Sequence, residues 1–306
     1  MTAAAPPVRA GEPGVRDLVR SARRIPVGAG LLLLASAAFH TAVLVLDGGP
    51  WDGPVSWRKP ITFGLSFGIS VLTVTWICRL LPLAARTRAL LLGAFTAASV
   101  LETGLITLQA WRGVPSHFNT ETTFDTLVTR ALAAGGVTLV VVVVALTVAA
   151  LRPAPAVDPG MRLALRAGLV ALTGSMAAGA VMIAYGLTLE GAGRAAEAYR
   201  SAGFLRPAHA VTMHAVLLLP ALARLLSRTR RPEAERLRLI RLTVAAYGAV
   251  AALVTAAAAA GLTFASPATT AAVSAGVTMI PAGAFLAFGA SPGVRDDPAD
   301  GRRPSS

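Results

Sequence analysis

Apolar runs of about twenty residues, parted by short polar segments, recur along the whole chain, and each is long enough to cross roughly 30 Å of hydrocarbon. Runs at 27–46, 60–78, 89–110, 124–151, 163–189, 207–226, 239–264 and 268–288 predict eight transmembrane helices. Residues 140–144 are five consecutive valines, which in water would suit a strand. Inside a run of this length they predict helix, because a lone strand cannot satisfy its backbone in lipid. The fold class is therefore all-α, a polytopic integral membrane bundle spanning 27–290. A basic segment at 1–26, disordered and then a short surface helix, precedes it, and a charged, Pro-rich disordered tail at 291–306 follows. Arg23 and Arg24 before the apolar run and Ala35-Ser36-Ala37 within it resemble a signal peptide, but the run continues further, so an uncleaved anchor is expected.

Loop charge gives the orientation. The N-terminus, the 79–88, 152–162 and 224–241 loops and the C-terminus carry most of the arginines. Eight spans with both termini cytoplasmic obey the positive-inside rule without exception. The outer loops are then 47–59, 111–123, 190–206 and 265–267, and the expected location is the cell membrane.

Composition agrees, with 55% hydrophobic and 14% charged residues. The net charge of +13 sits in short loops, which suits contact with anionic lipids at the cytoplasmic face. Such loops cannot build a nucleic-acid recognition module, so the partner is the lipid bilayer and not nucleic acid. The one cysteine, Cys78, excludes an internal disulfide and any CxxC motif. Basic residues are almost all Arg, and the single Lys (Lys59), Gln (Gln109) and Asn (Asn119) all fall between 57 and 119.

That stretch holds most of the candidate chemistry. Counting helix rise, His40 lies about 9 Å below the outer end of span one, Glu102 about 12 Å below that of span three, and His214 about 10 Å below the start of span six. Arg130 lies at a similar level, about 9 Å inside span four. Charged groups in hydrocarbon cost about 2.5–3.5 kcal/mol or more, so they face protein and find partners. Glu102 is either a functional carboxylate or half of a structural ion pair, for example with Arg130. With His117 and Asn119, in a Pro/Ser turn of an outer loop, it forms the candidate catalytic set. His40, His214 and His209 are candidate ligands for a b-type haem or a divalent metal. His209 and His214 are about 140° apart around their helix, so both cannot point squarely at one centre. Trp57, Arg58, Lys59, Gln109 and Arg112 form a candidate substrate or anion rim, the alternative being an interfacial belt of Trp, Arg and Lys. Thr122-x-x-Asp125 reads as a capping box, and Gly64-x-x-x-Gly68 as a close helix contact.

Three functions fit these residues. The first is a haem- or metal-binding redox or enzyme site in the outer half of the bilayer. The second is a proton-linked transporter or lipid-handling protein, and the third a structural membrane protein whose polar residues join helices.

Overall fold

A computed structural model describes residues 15–261, and within them every regular element is a helix. In chain order these are α1 (Val15–Asp47), α2 (Arg58–Ile77), α3 (Ala85–Trp111), α4 (Thr123–Leu151), α5 (Pro159–Gly191), α6 (Ala195–Ser201), a 3-10 turn (Ala202–Leu205), α7 (Arg206–Leu226) and α8 (Glu233–Ala259). Seven segments are long and apolar enough to cross a membrane, which makes this a multi-pass helical membrane protein. The expected eighth span at 268–288, the 265–267 loop, the C-terminal tail and residues 1–14 lie outside the described residues.

Two boundaries differ from the sequence reading. The expected break before residue 27 is absent, since α1 runs without interruption through Pro26. A proline removes only one helix hydrogen bond, and apolar surroundings leave the remaining backbone no better partner than its own helix. The 190–206 loop contains α6 and the 3-10 turn, because Ala198, Ala202 and Leu205 bury one side of it.

The described chain forms two units, with the break inside α4. The first holds α1, α2, α3 and the first two-thirds of α4. Here the Gly64/Gly68 pair does bring helices together. A Cβ on Gly64 would lie 2.9 Å from the Leu33 carbonyl oxygen, and one on Gly68 would lie 3.0 Å from that of Gly30. Only glycine lets α2 approach the α1 backbone so closely. The segments 48–59 and 112–117 meet at one end of this unit, here called its mouth, through Lys59 and Ser116.

The second unit holds the end of α4 with α5 through α8, plus residues 80–82 and 118–121. α5 packs on α7 at Gly168, where a Cβ would lie 2.9 Å from Val216 Cα. Arg166 donates to the last carbonyls of α4, at Ala150, Leu151 and Arg152, satisfying acceptors that a helix end leaves open. Asp158 caps α5 by accepting from the Met161 N–H, with Pro159 at the first helical position. It also takes a bond from Arg236 of α8. In the protein interior, Tyr247 of α8 donates to the Val211 carbonyl of α7.

Candidate functional site

The buried stripe of α3 positions the first unit's chemistry. Glu102, Ile106 and Gln109 recur at helical spacing on that stripe and are all buried. Glu102 is only 5% exposed and fits a notch in α4, where a Cβ on Gly135 would stand 2.7 Å from its Oε1. A carboxylate here needs a cation or donors. The expected partner does not supply them: Arg130 is exposed, and among the described residues Glu102 forms no ion pair. Above the notch, Ile106, Val128 and Leu132 form a buried apolar collar, with Phe63 and Leu105 packed against it. Along α3 and α4 this apolar cluster lies between Glu102 and the mouth.

At the mouth, Asp125 is the hub. One half of the expected capping box forms, the Asp125 N–H donating to Thr122 Oγ1 at 3.1 Å, and the Thr122 hydroxyl itself donates back to Asp125 Oδ2 at 2.6 Å. The same carboxylate accepts from Gln109 Nε2 at 2.9 Å and from Arg112 at 2.5 Å. Arg112 also donates to Gln109 Oε1 and lies over the Phe124 ring, 4.6 Å from its centroid. Thus two of the expected rim residues, Gln109 and Arg112, are tied to each other and to a buried acid that caps a helix.

A second cluster surrounds His40. Its Nδ1 lies 2.7 Å from the Ser36 carbonyl oxygen, which can only accept, so Nδ1 carries the proton. Nε2 is then the acceptor and takes the Trp111 indole N–H at 3.1 Å. Trp57 and Trp111 pack edge to face at 4.9 Å, and the His40 ring lies 5.8 Å from Trp57. His40 therefore meets the Trp111 side chain, which projects from the last turn of α3, nine residues beyond Glu102 on that helix.

Lys59 donates to the Pro54 carbonyl at 3.1 Å and reaches Ser116 Oγ at 3.5 Å. Arg58 donates to the Trp51 carbonyl at 3.2 Å and pairs with Asp52 at 3.4 Å. His117 places Nδ1 3.0 Å from Ser116 Oγ. Burial, and then the Lys59 charge, push the His117 imidazole down to about 4. It is neutral near pH 7.

The other expected site residues belong to the second unit. Asn119 is buried, and its Oδ1 accepts the Glu121 N–H, closing the 118–121 turn. His209 and His214 share α7. Each directs Nδ1–H to a carbonyl, that of Ser175 at 2.8 Å and that of Ala210 at 2.6 Å, which leaves Nε2 as the acceptor in both rings. Among the described residues, no three His, Cys, Asp or Glu side chains gather closely enough to hold a metal ion.

Four contributors escape sequence reasoning. Asp125 reads there only as a cap, Trp111 only as a belt residue, and Ser56 and Ser116 only as turn residues beside Pro54 and Pro115. The first two carried a usable signal, being a carboxylate and an indole N–H beside the rim. The serines carried none.

Helices of membrane-spanning length and a polar mouth over a buried carboxyl define the class as multi-pass helical membrane proteins. Comparison with protein-family models, with curated proteins and with solved structures finds no match to this chain.

Proposed function

We propose that the protein is a proton-linked membrane transporter for small molecules, with Glu102 as the group that takes up and releases the proton. The observation that carries this reading is a carboxyl buried within a spanning helix, seated in a glycine notch, with no cation paired to it among the described residues. Intramembrane acids held in this way are the proton-carrying groups of pumps and transporters. A carboxylate serving as half of an ion pair would hold a cation such as Arg130, whereas Glu102 accepts a hydrogen bond from the Gly136 backbone of α4. The Ile106/Val128/Leu132 collar supplies the barrier that a coupled site requires between its proton group and the mouth. Trp57, Arg58, Lys59 and Arg112 meet the substrate at the mouth, and the buried Gln109 holds Arg112 in place.

The test is reconstitution into liposomes holding a pH-sensitive dye, with inorganic phosphate and succinate as trial substrates and infrared difference spectra taken across a pH titration. Wild type shows a carboxylic acid band that appears and disappears with pH and substrate-driven proton movement. Glu102→Gln loses both while inserting normally. A pH response unchanged in Glu102→Gln would sink the reading.

A second reading, haem or metal binding on α7, is favoured by one feature. His209 and His214 both hold Nδ1–H on a backbone carbonyl, the arrangement that orients an imidazole ligand for coordination through Nε2. An absorption spectrum and metal analysis of gently purified protein test it. A Soret band or near-stoichiometric metal lost in His214→Ala supports it, and equal content in wild type and His214→Ala removes it. His40 suits this role less well, because Trp111 occupies its Nε2.

A further inference from the structure

One face of α4 carries a cation where a membrane-spanning helix calls for apolar side chains. Arg130 stands seven residues from the start of α4, about 10 Å along its axis, and its side chain is exposed. Among the described residues it has neither an ion pair nor a hydrogen bond. A charge facing hydrocarbon is costly, so it turns toward the headgroups and takes an anion there. The acids of the neighbouring helix stretches do not serve. Glu102 is buried in the Gly135 notch, and Asp125 is buried and held by Arg112, Gln109 and Thr122.

The rest of the face gives the ligand's shape. At about 100° per residue, Thr123, Thr126, Arg130, Ala134 and Val137 fall within roughly 80° of one another. Thr126 is half-buried and keeps its hydroxyl on the Thr122 carbonyl, whereas the other four are exposed. The helix has 29 residues and so overruns the hydrocarbon. Centred in a core of about 30 Å, it places Arg130 about 4 Å below the edge and Val137 near the midplane. From the mouth inward the face therefore reads hydroxyl, guanidinium and then bare apolar side chains over one leaflet. A phospholipid has the same order, with headgroup and phosphate at the edge and acyl chains reaching the midplane. Long side chains lean toward the start of their helix, which turns the guanidinium toward the mouth, where the positive end of α4 adds to its charge. A guanidinium fork matches the oxygens of a phosphate.

We infer that this face of α4 binds one phospholipid of the mouth-side leaflet, with Arg130 holding the phosphate and Ala134 and Val137 lying against an acyl chain. An anionic headgroup is preferred, because the face bears a positive charge and no exposed acid to hold an amine. The site uses neither Glu102 nor the rim, so it stands apart from the transport reading.

The experiment uses the full chain with Cys78→Ala and Ala134→Cys, the new thiol carrying a bimane fluorophore, in phosphatidylcholine vesicles. Phosphatidylglycerol or phosphatidylcholine with brominated acyl chains is added in steps, and each lipid's quenching curve gives its relative binding constant at this face. Brominated phosphatidylglycerol should quench at the lower mole fraction. Arg130→Gln should reduce its advantage about fivefold, the weight of one cation beside an anionic lipid. Arg130→Lys should keep most of it. Arg86→Gln, at the far end of α3, should leave it unchanged.

Equal quenching by the two lipids while Arg130 is present overturns the inference, and that comparison does not depend on any Arg130 variant folding. An advantage that survives Arg130→Gln undiminished overturns it as well. Quenching by neither lipid does the same, and disulfide-linked pairs of the unlabelled Ala134→Cys chain would then identify a second copy as the occupant.

Discussion

At the scale of single residues, His117 and His40 are opposite uses of an imidazole. His117 has its folded pKa near 4, below the roughly 6.5 of an unfolded chain. Above about pH 6.5 both states are neutral there and the group contributes no pH dependence. Between that value and about pH 4 the unfolded chain binds a proton that the native protein refuses, so stability falls as pH falls through this window. Melting curves of wild type and His117→Gln in detergent should therefore diverge on acidification from neutrality, with the variant losing less. Parallel curves would show that His117 is not held neutral. His40 instead ties α1 to α3, its Nδ1–H held on the Ser36 carbonyl of its own helix and its Nε2 taking the Trp111 indole N–H. Trp111→Phe removes the donor to Nε2 and should cost about 1 kcal/mol in chemical denaturation, with His40→Phe costing no more when added to it. Little of this was legible in advance. The sequence singled out Glu102, His117 and Lys59 by their rarity and position, but rarity does not say which atom faces which. Residue counts along separate helices gave His40 a depth but no rotation, so its contact with Trp111 was not legible.

At the scale of elements, glycines set how closely the helices approach. A Cβ on Gly135 would meet the Glu102 carboxyl at 2.7 Å, so Gly135→Ala should destabilise by about 1–3 kcal/mol, the range for overpacking. Glu102→Ala in the same chain should recover most of that loss, and a double-mutant cycle in denaturant measures the coupling. An additive cycle would place Glu102 outside the notch. Gly64→Ala is a stricter case, because its nearest obstacle is the Leu33 carbonyl oxygen of the backbone, which cannot swing aside as a side chain does. Its loss should resist rescue by any single second substitution on α1. The Gly64-x-x-x-Gly68 contact and the Thr122/Asp125 cap were both legible in the sequence, since each depends on neighbours within a turn or two. The Gly135 notch was not. It depends on rotation about two helix axes, which apolar periodicity barely constrains when the helices are hydrophobic on every side.

At the scale of the whole molecule, hydropathy alone identifies a multi-pass membrane protein, because an apolar run of about twenty residues satisfies its own backbone across lipid as a helix. Orientation rests on loop charge, and single-cysteine labelling tests it. In a Cys78→Ala background, cysteines at Asp52 and Thr120 should react with a membrane-impermeant maleimide on intact cells. Cysteines at Arg86 and Arg230, in loops rich in Arg, should react only after permeabilisation. The result bears on mechanism as well as topology. If the 47–59 and 111–123 loops face outward, Lys59 and Arg112 meet the external solution, and on the transport reading an inward proton gradient protonates Glu102 past the Ile106/Val128/Leu132 collar. Proton uptake by Glu102 then reports collar opening, and Ile106→Ala should speed it in liposomes while leaving the endpoint of its titration nearly unchanged. If the labelling pattern is reversed, the same mouth faces the cytoplasm, the positive-inside rule fails for this chain, and the coupled flow must be outward.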